Sequence, residues 1–145
     1  DEYRKQLSKL EKYYGNDDTT AFILVDHYFF MHEFIKMQAA LDRLIVMLGE
    51  DGALLNLKAN AYISVKDFEN AKKYCKMAIQ VEPQYDGAYW SLVTALTMHE
   101  EYGELIKALA MLEKQFGYSF TAKTFAGNEF YSKFVRSPEF KGKYK

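Results

Sequence analysis

Apolar positions recur along this chain at two nested intervals. The shorter one is helical: Tyr3, Leu7 and Leu10 form a stripe at i, i+4 and i+7, and similar stripes follow it. The longer interval is 34 residues. Leu10, Leu44, Ala78 and Leu112 keep that spacing, as do Leu7, Leu41, Cys75 and Leu109, and Tyr3, Met37, Ala71 and Leu105. Phe34, Phe68 and Tyr102 keep it too, with Tyr28, Tyr62, Leu96 and Phe130, and with Val25, Ala59, Val93 and Gly127. Helix-stopping residues share the phase at Gly15, Gly49, Pro83 and Gly117. Several series in one register point to a supersecondary unit repeated along the chain.

The pattern predicts three helix pairs, with helices near 18–31 and 34–48, 52–65 and 67–81, and 86–99 and 101–116. Residues 1–14 fit only the second helix of a pair, so residues 1–17 read as a half repeat. Repeats at 18–51, 52–85 and 86–119 follow, then a C-terminal capping segment at 120–145, all in one domain spanning 1–145. A helix is expected from about Phe120 to Val135, with Ala126, Gly127 and Phe130 facing the preceding pair. A short last helix starts at "SPEF", capped by Ser137 with Pro138 in its first turn. Asp67 is the expected N-cap of the helix that follows it. Gly103, inside the sixth helix, costs about 1 kcal/mol relative to Ala. Ala71 and Ala78 are small where helices must approach closely.

The central copy, Gly52 to Tyr85, resembles the tetratricopeptide repeat (TPR). Leu55 takes its large-apolar place, Ala59 the small place, Tyr62 the aromatic place, Ala71 and Ala78 the two alanines, and Pro83 the closing proline. Lys58, where Leu is usual, and Cys75, where an aromatic is usual, depart from the pattern. The flanking copies are degenerate, with Gly for Pro and with Met37 and Leu105 for the first alanine. The resemblance implies an all-α fold, a right-handed TPR-like superhelix of antiparallel helix pairs with a C-terminal capping helix. It also implies a non-enzymatic protein–protein interaction module that binds a peptide or helix in a concave groove lined by the first helix of each pair. Carried over by register, that groove holds Phe22, Asp26, Phe29 and Phe30 in the first copy and Asn56, Asn60, Ile63 and Ser64 in the second. Trp90, Thr94, Thr97 and Met98 follow in the third, and Thr124, Asn128 and Tyr131 in the terminal helix. None is Lys or Arg. The TPR subfamily that grips a chaperone's C-terminal carboxylate needs basic residues plus asparagines there. Asn60 stands at one asparagine place, but Asp26 stands at another and would repel an anion. Each groove aromatic has an internal alternative, packing against residues 1–14 or the terminal segment.

Composition narrows the classes. The chain has 145 residues, 49% of them apolar, with a net charge of −1, which suits a single core-forming domain. The last 13 residues carry Lys133, Arg136, Lys141, Lys143 and Lys145 against Glu139, a net of +4, and this basic end reads as solvated. The remainder is too acidic for a general nucleic-acid binder. No apolar run is long enough to cross a bilayer, and no membrane partner is expected. The single cysteine excludes an internal disulfide and a multi-cysteine zinc site. His27 and His32 are five apart, on different helix faces, so no shared metal is expected. Cys75 lies on the apolar stripe and reads as core. Glu50–Asp51 and Glu100–Glu101 fall at helix junctions as caps. No phosphate loop or nucleophile elbow occurs, so neither an enzyme nor a cofactor is expected. The chain begins at Asp1 and is expected to be a processed or excised piece, with a cytoplasmic location. A second reading is a structural adaptor within a longer polypeptide, self-associating as a homo-oligomer through the N-terminal half repeat.

Overall fold

The computed structural model describes residues 1–14 and 16–144. Gly15, the first member of the glycine series, and Lys145 of the basic end lie outside the described residues. The helices are α1 (Glu2–Tyr14), α2 (Asp18–Phe30), α3 (Phe34–Leu48), α4 (Gly52–Ser64), α5 (Phe68–Val81), α6 (Asp86–Met98) and α7 (Tyr102–Phe116). Short elements follow: α8 (Ala122–Phe125), a 3-10 turn (Glu129–Tyr131), α9 (Ser132–Arg136) and α10 (Pro138–Lys143). No strand occurs among the described residues. The helices pack as hairpins, α2 with α3, α4 with α5 and α6 with α7. Successive hairpins join through α3–α4, α4–α6 and α5–α6.

Local signals set the starts. Asp17 and Asp51, one repeat apart, accept hydrogen bonds from the Thr20 and Leu54 amides at 2.8 and 2.7 Å. Asp67 does the same for Asn70 at 3.2 Å. Each satisfies one of the amides that a helix start leaves without an intrahelical partner.

The turn inside each hairpin repeats as well. His32, Lys66 and Glu100 sit at φ of 55°, 60° and 59°, in the left-handed region, one per repeat. The following amide reaches back to the helix in every copy: Glu33 to Tyr28 O at 2.9 Å, Asp67 to Tyr62 O at 3.0 Å, Glu101 to Leu96 O at 2.9 Å. This is a Schellman closure, which usually takes Gly at the left-handed position because a Cβ is strained there.

The core forms along the stripes. Leu7, Leu24, Met37, Leu41 and Leu44 bury together at the N-terminal end, while Leu92, Leu96, Leu105, Leu109 and Leu112 bury with Cys75 toward the C-terminal end. Ala71 and Ala78 are fully buried where α5 meets its neighbours. Fully burying a leucine stabilises by roughly 1.5–3 kcal/mol. Lys58 is buried at its leucine place. Its ammonium pairs with Asp42 of α3 and lies 4.8 Å over the Tyr74 ring of α5. Burial works against the charge, but the Asp42 carboxylate outweighs it and holds the Lys58 pKa above 10.5.

The expected terminal helix from Phe120 to Val135 is broken. Ala126 and Asn128 are extended and Gly127 takes φ 79°, while the Asn128 side chain caps the next turn at the Phe130 amide, 3.0 Å away. Ala126 and Phe130, expected to face the preceding pair, are exposed. The break folds the chain back on itself. Phe125 and Phe134 meet edge to face at 5.5 Å, each with Phe140 alongside, and α10 packs on α7. The cap is therefore a knot of aromatic rings rather than a further first helix. The Ser137 cap and Pro138 start of α10 follow the sequence.

Candidate interaction surface

Because 34 residues separate equivalent positions, α2, α4 and α6 present matching rows of side chains. The α2 row is open: Phe22, Phe29 and Phe30 are 42, 49 and 77% exposed, and Asp26 is exposed among them. Phe29 meets Phe30 edge to face at 5.9 Å. Phe29 of α2 and Ser64 of α4 line one cleft of about 170 Å3, with Phe34 and Met37 of α3 as its floor and Val65 beside Ser64.

The α4 row is polar and partly committed. Asn60 is exposed, and its Oδ1 accepts the Ser91 hydroxyl of α6 at 2.9 Å. Asn56 is buried, its Nδ2 3.4 Å from the Tyr85 hydroxyl. Ile63 is half-buried, and the Ser64 hydroxyl bonds Ala61 O at 2.6 Å. On α6 the Thr94 and Thr97 hydroxyls return to carbonyls of their own helix, Trp90 O and Val93 O, and Thr97 is buried. Met98 is exposed.

Trp90 is filled from within the chain. Tyr118 and Phe120 pack edge to face on its indole at 5.3 and 5.9 Å. Its Nε1 lies 3.4 Å from the Tyr118 hydroxyl, which donates to Asp86 at 3.1 Å. The broken terminal helix also takes Thr124, Asn128 and Tyr131 out of the row. Thr124 caps α8 with Thr121, Asn128 caps the 3-10 turn, and Tyr131 packs on Phe125 at 5.2 Å. Of the groove residues expected by register, the structure leaves open Phe22, Asp26, Phe29, Phe30, Asn60, Ser64 and Met98 on these helices. It adds Ile23, Leu57 and Val65, exposed apolar neighbours one helical step away. The sequence carried that signal as apolar residues flanking the row.

Groups that could do chemistry are otherwise engaged. Burial pushes the Cys75 thiol up to about 12, so it is protonated and unreactive at neutral pH. Glu69, His99 and Glu101 converge, with ligating atoms within 4.8 Å of one another. The Lys72 ammonium already bonds both carboxylates, at 2.8 and 2.6 Å, and His99 Nδ1 is 2.8 Å from Glu101. That cluster ties α5 to the turn between α6 and α7. His27 is engaged by the Tyr3 hydroxyl of α1. No helix of the described residues is long and apolar enough to cross a membrane.

The chain matches no protein-family model and no curated protein sequence. Among solved structures it is similar to the TPR2B domain:pHsp70 complex of yeast Sti1. The TM-score is 0.61 and the identity 22%, over 68% of this chain and 78% of that one. It is also similar to YrrB, described as a TPR protein with an unusual peptide-binding site. There the TM-score is 0.65 and the identity 13%, over 96% of this chain and 73% of that one. The fold is thus that of the TPR superhelix, an all-α array of antiparallel helix pairs.

Proposed function

We propose that the chain is a non-enzymatic protein-interaction module that takes a peptide or helix along the open faces of α2 and α4. One observation carries the reading: three phenylalanines of a single helix row stand exposed, next to a cleft that the neighbouring hairpin completes. Exposed aromatics beside a preformed hollow are the usual anchors of a protein interface. Asn60 keeps an amide nitrogen that forms no hydrogen bond among the described residues, and amides of this kind pair with a peptide backbone. Of the two similar structures, one is described as a pHsp70 complex and the other as having a peptide-binding site, which supports the assignment.

The interaction is centred on Phe22, Phe29, Phe30, Asn60 and Ser64, with Asp26 disfavouring anionic ligands. Trp90 contributes to structure rather than to contact. The alternative, self-association through the N-terminal half repeat, rests on the Tyr3/Leu7/Leu10 stripe of α1, of which Leu7 is buried while Tyr3 is 48% exposed. The test is calorimetry with peptides selected by phage display on the folded chain. Phe30→Ala and Asn60→Ala should weaken the best binder about tenfold while circular dichroism is unchanged. Equal affinity for both variants and the parent would remove the α2–α4 face from consideration.

A further inference from the structure

The repeat provides an internal comparison on the opposite side of the array, where second helices flank the next first helix. Between α3 and α5 the floor is α4, and the space is closed from inside. The Tyr74 ring stacks on Tyr62 at 5.5 Å, and the Lys58 ammonium lies over Tyr74 while pairing with Asp42. One repeat later, between α5 and α7, each of those groups is replaced. Leu92 stands for Lys58, Leu96 for Tyr62, Ala108 for Tyr74 and Lys76 for Asp42. The ring is gone, and a cleft of about 240 Å3 opens over Leu92, Leu96 and Ala108, with Ile79 and Met111 on its walls.

That volume is below the roughly 300–1,000 Å3 of drug-sized ligand sites, so it suits a single side chain. The charges on its rim are uneven. Lys72 bonds Glu69 and Glu101, and Lys107 bonds Glu104 at 2.9 Å, but Lys76 has no ion-pair partner among the described residues. We propose that the α5–α7 cleft is a second docking site, which receives an aromatic side chain of a partner segment with an acidic residue next to it. The ring takes the place that Tyr74 fills one repeat earlier, and the acid meets Lys76. The site is separate from the α2–α4 face and does not depend on its assignment.

The probe is the blocked tripeptide Glu-Tyr-Glu, titrated into the 13C-methyl-labelled chain to millimolar concentration. Methyl resonances of Leu92, Leu96, Ala108 and Ile79 should shift. Lys-Tyr-Lys should bind more weakly, and Glu-Ala-Glu should leave them in place. Lys76→Glu, an exposed substitution, should weaken Glu-Tyr-Glu about threefold, with the difference shrinking at high salt. Ala108→Tyr should abolish the shifts by restoring the internal ring. If that variant does not fold, Lys76→Glu and the peptide series still decide. Three results would overturn the proposal: no methyl shifts with Glu-Tyr-Glu, equal shifts with Glu-Ala-Glu, or the same methyls moving with protein concentration alone. The last would make the occupant a second copy of the chain.

Discussion

Phe22 and Trp90 hold the same place in their repeats, on α2 and α6, yet Phe22 faces outward while Trp90 lies beneath Tyr118 and Phe120. Helix, register and residue class are matched. The difference lies in the chain that follows. After α7, Gly117 takes φ 73° and turns the backbone so that Tyr118 returns across α6, whereas nothing among the described residues returns across α2 in that way. An aromatic in a repeat array therefore has no fixed fate; it is core or contact according to whether another segment covers it. The C-terminal end packs Trp90 into structure, whereas α2 leaves Phe22, Phe29 and Phe30 exposed.

The sharpest way to break this contrast is truncation at each end. Phe134→Ala removes a fully buried ring from the terminal knot and should cost about 3–5 kcal/mol in urea unfolding. Phe30→Ala removes a ring 77% exposed and should change stability by no more than about 0.5 kcal/mol. Similar costs at the two sites would erase the distinction. Next in size is Tyr118→Ala, which uncovers the only tryptophan. It should cost about 1 kcal/mol and shift the Trp90 emission to the red. An unshifted spectrum would mean that Tyr118 does not shield the indole.

At the other end, α1 is held by Glu11, which accepts from the Tyr28 hydroxyl and from Arg43 at 2.9 Å. Burial raises the Glu11 carboxyl, but these hydrogen bonds and the Arg43 charge outweigh it and hold it below its ordinary value of 4.5. A depressed carboxyl stabilises above its ordinary value, and that contribution fades as pH falls through the lower, folded value. Protection factors of the α1 amides, corrected for intrinsic exchange, should therefore fall as pH drops below 4.5, and Glu11→Gln should abolish that loss of protection. The smallest effect belongs to the turns. Lys66→Gly relieves a Cβ at φ 60° and should stabilise by up to about 1 kcal/mol, read as a higher urea midpoint.

Those turns also explain how legible the molecule was. The ends of the pairs were readable because Gly49 and Gly117 take positive φ and Pro83 stands just past Glu82, the C-cap of α5. The turn within each pair uses the same closure with His32, Lys66 and Glu100, residues that give no local signal, so only the period located it. The six helices of the three pairs came within one residue of their expected ends. The terminal segment misled because its phase matched a first helix, while Gly127 and Asn128, a break and a cap side by side, were read as helix. On the candidate surface, register picked out α2 residues that the fold leaves exposed. It could not show that Trp90 would be covered, since Tyr118 lies outside the repeated positions.

Lys58 and Asp42 have one more implication. A buried cation at a leucine position fits only a neighbour that brings an anion, and in this chain the copy before it does. The copies are therefore not interchangeable bricks. Transplanting residues 86–119 into the place of 18–51 would set Lys58 against Ala110 and strand its charge. Their order along the polypeptide is encoded by a lock between α3 and α4.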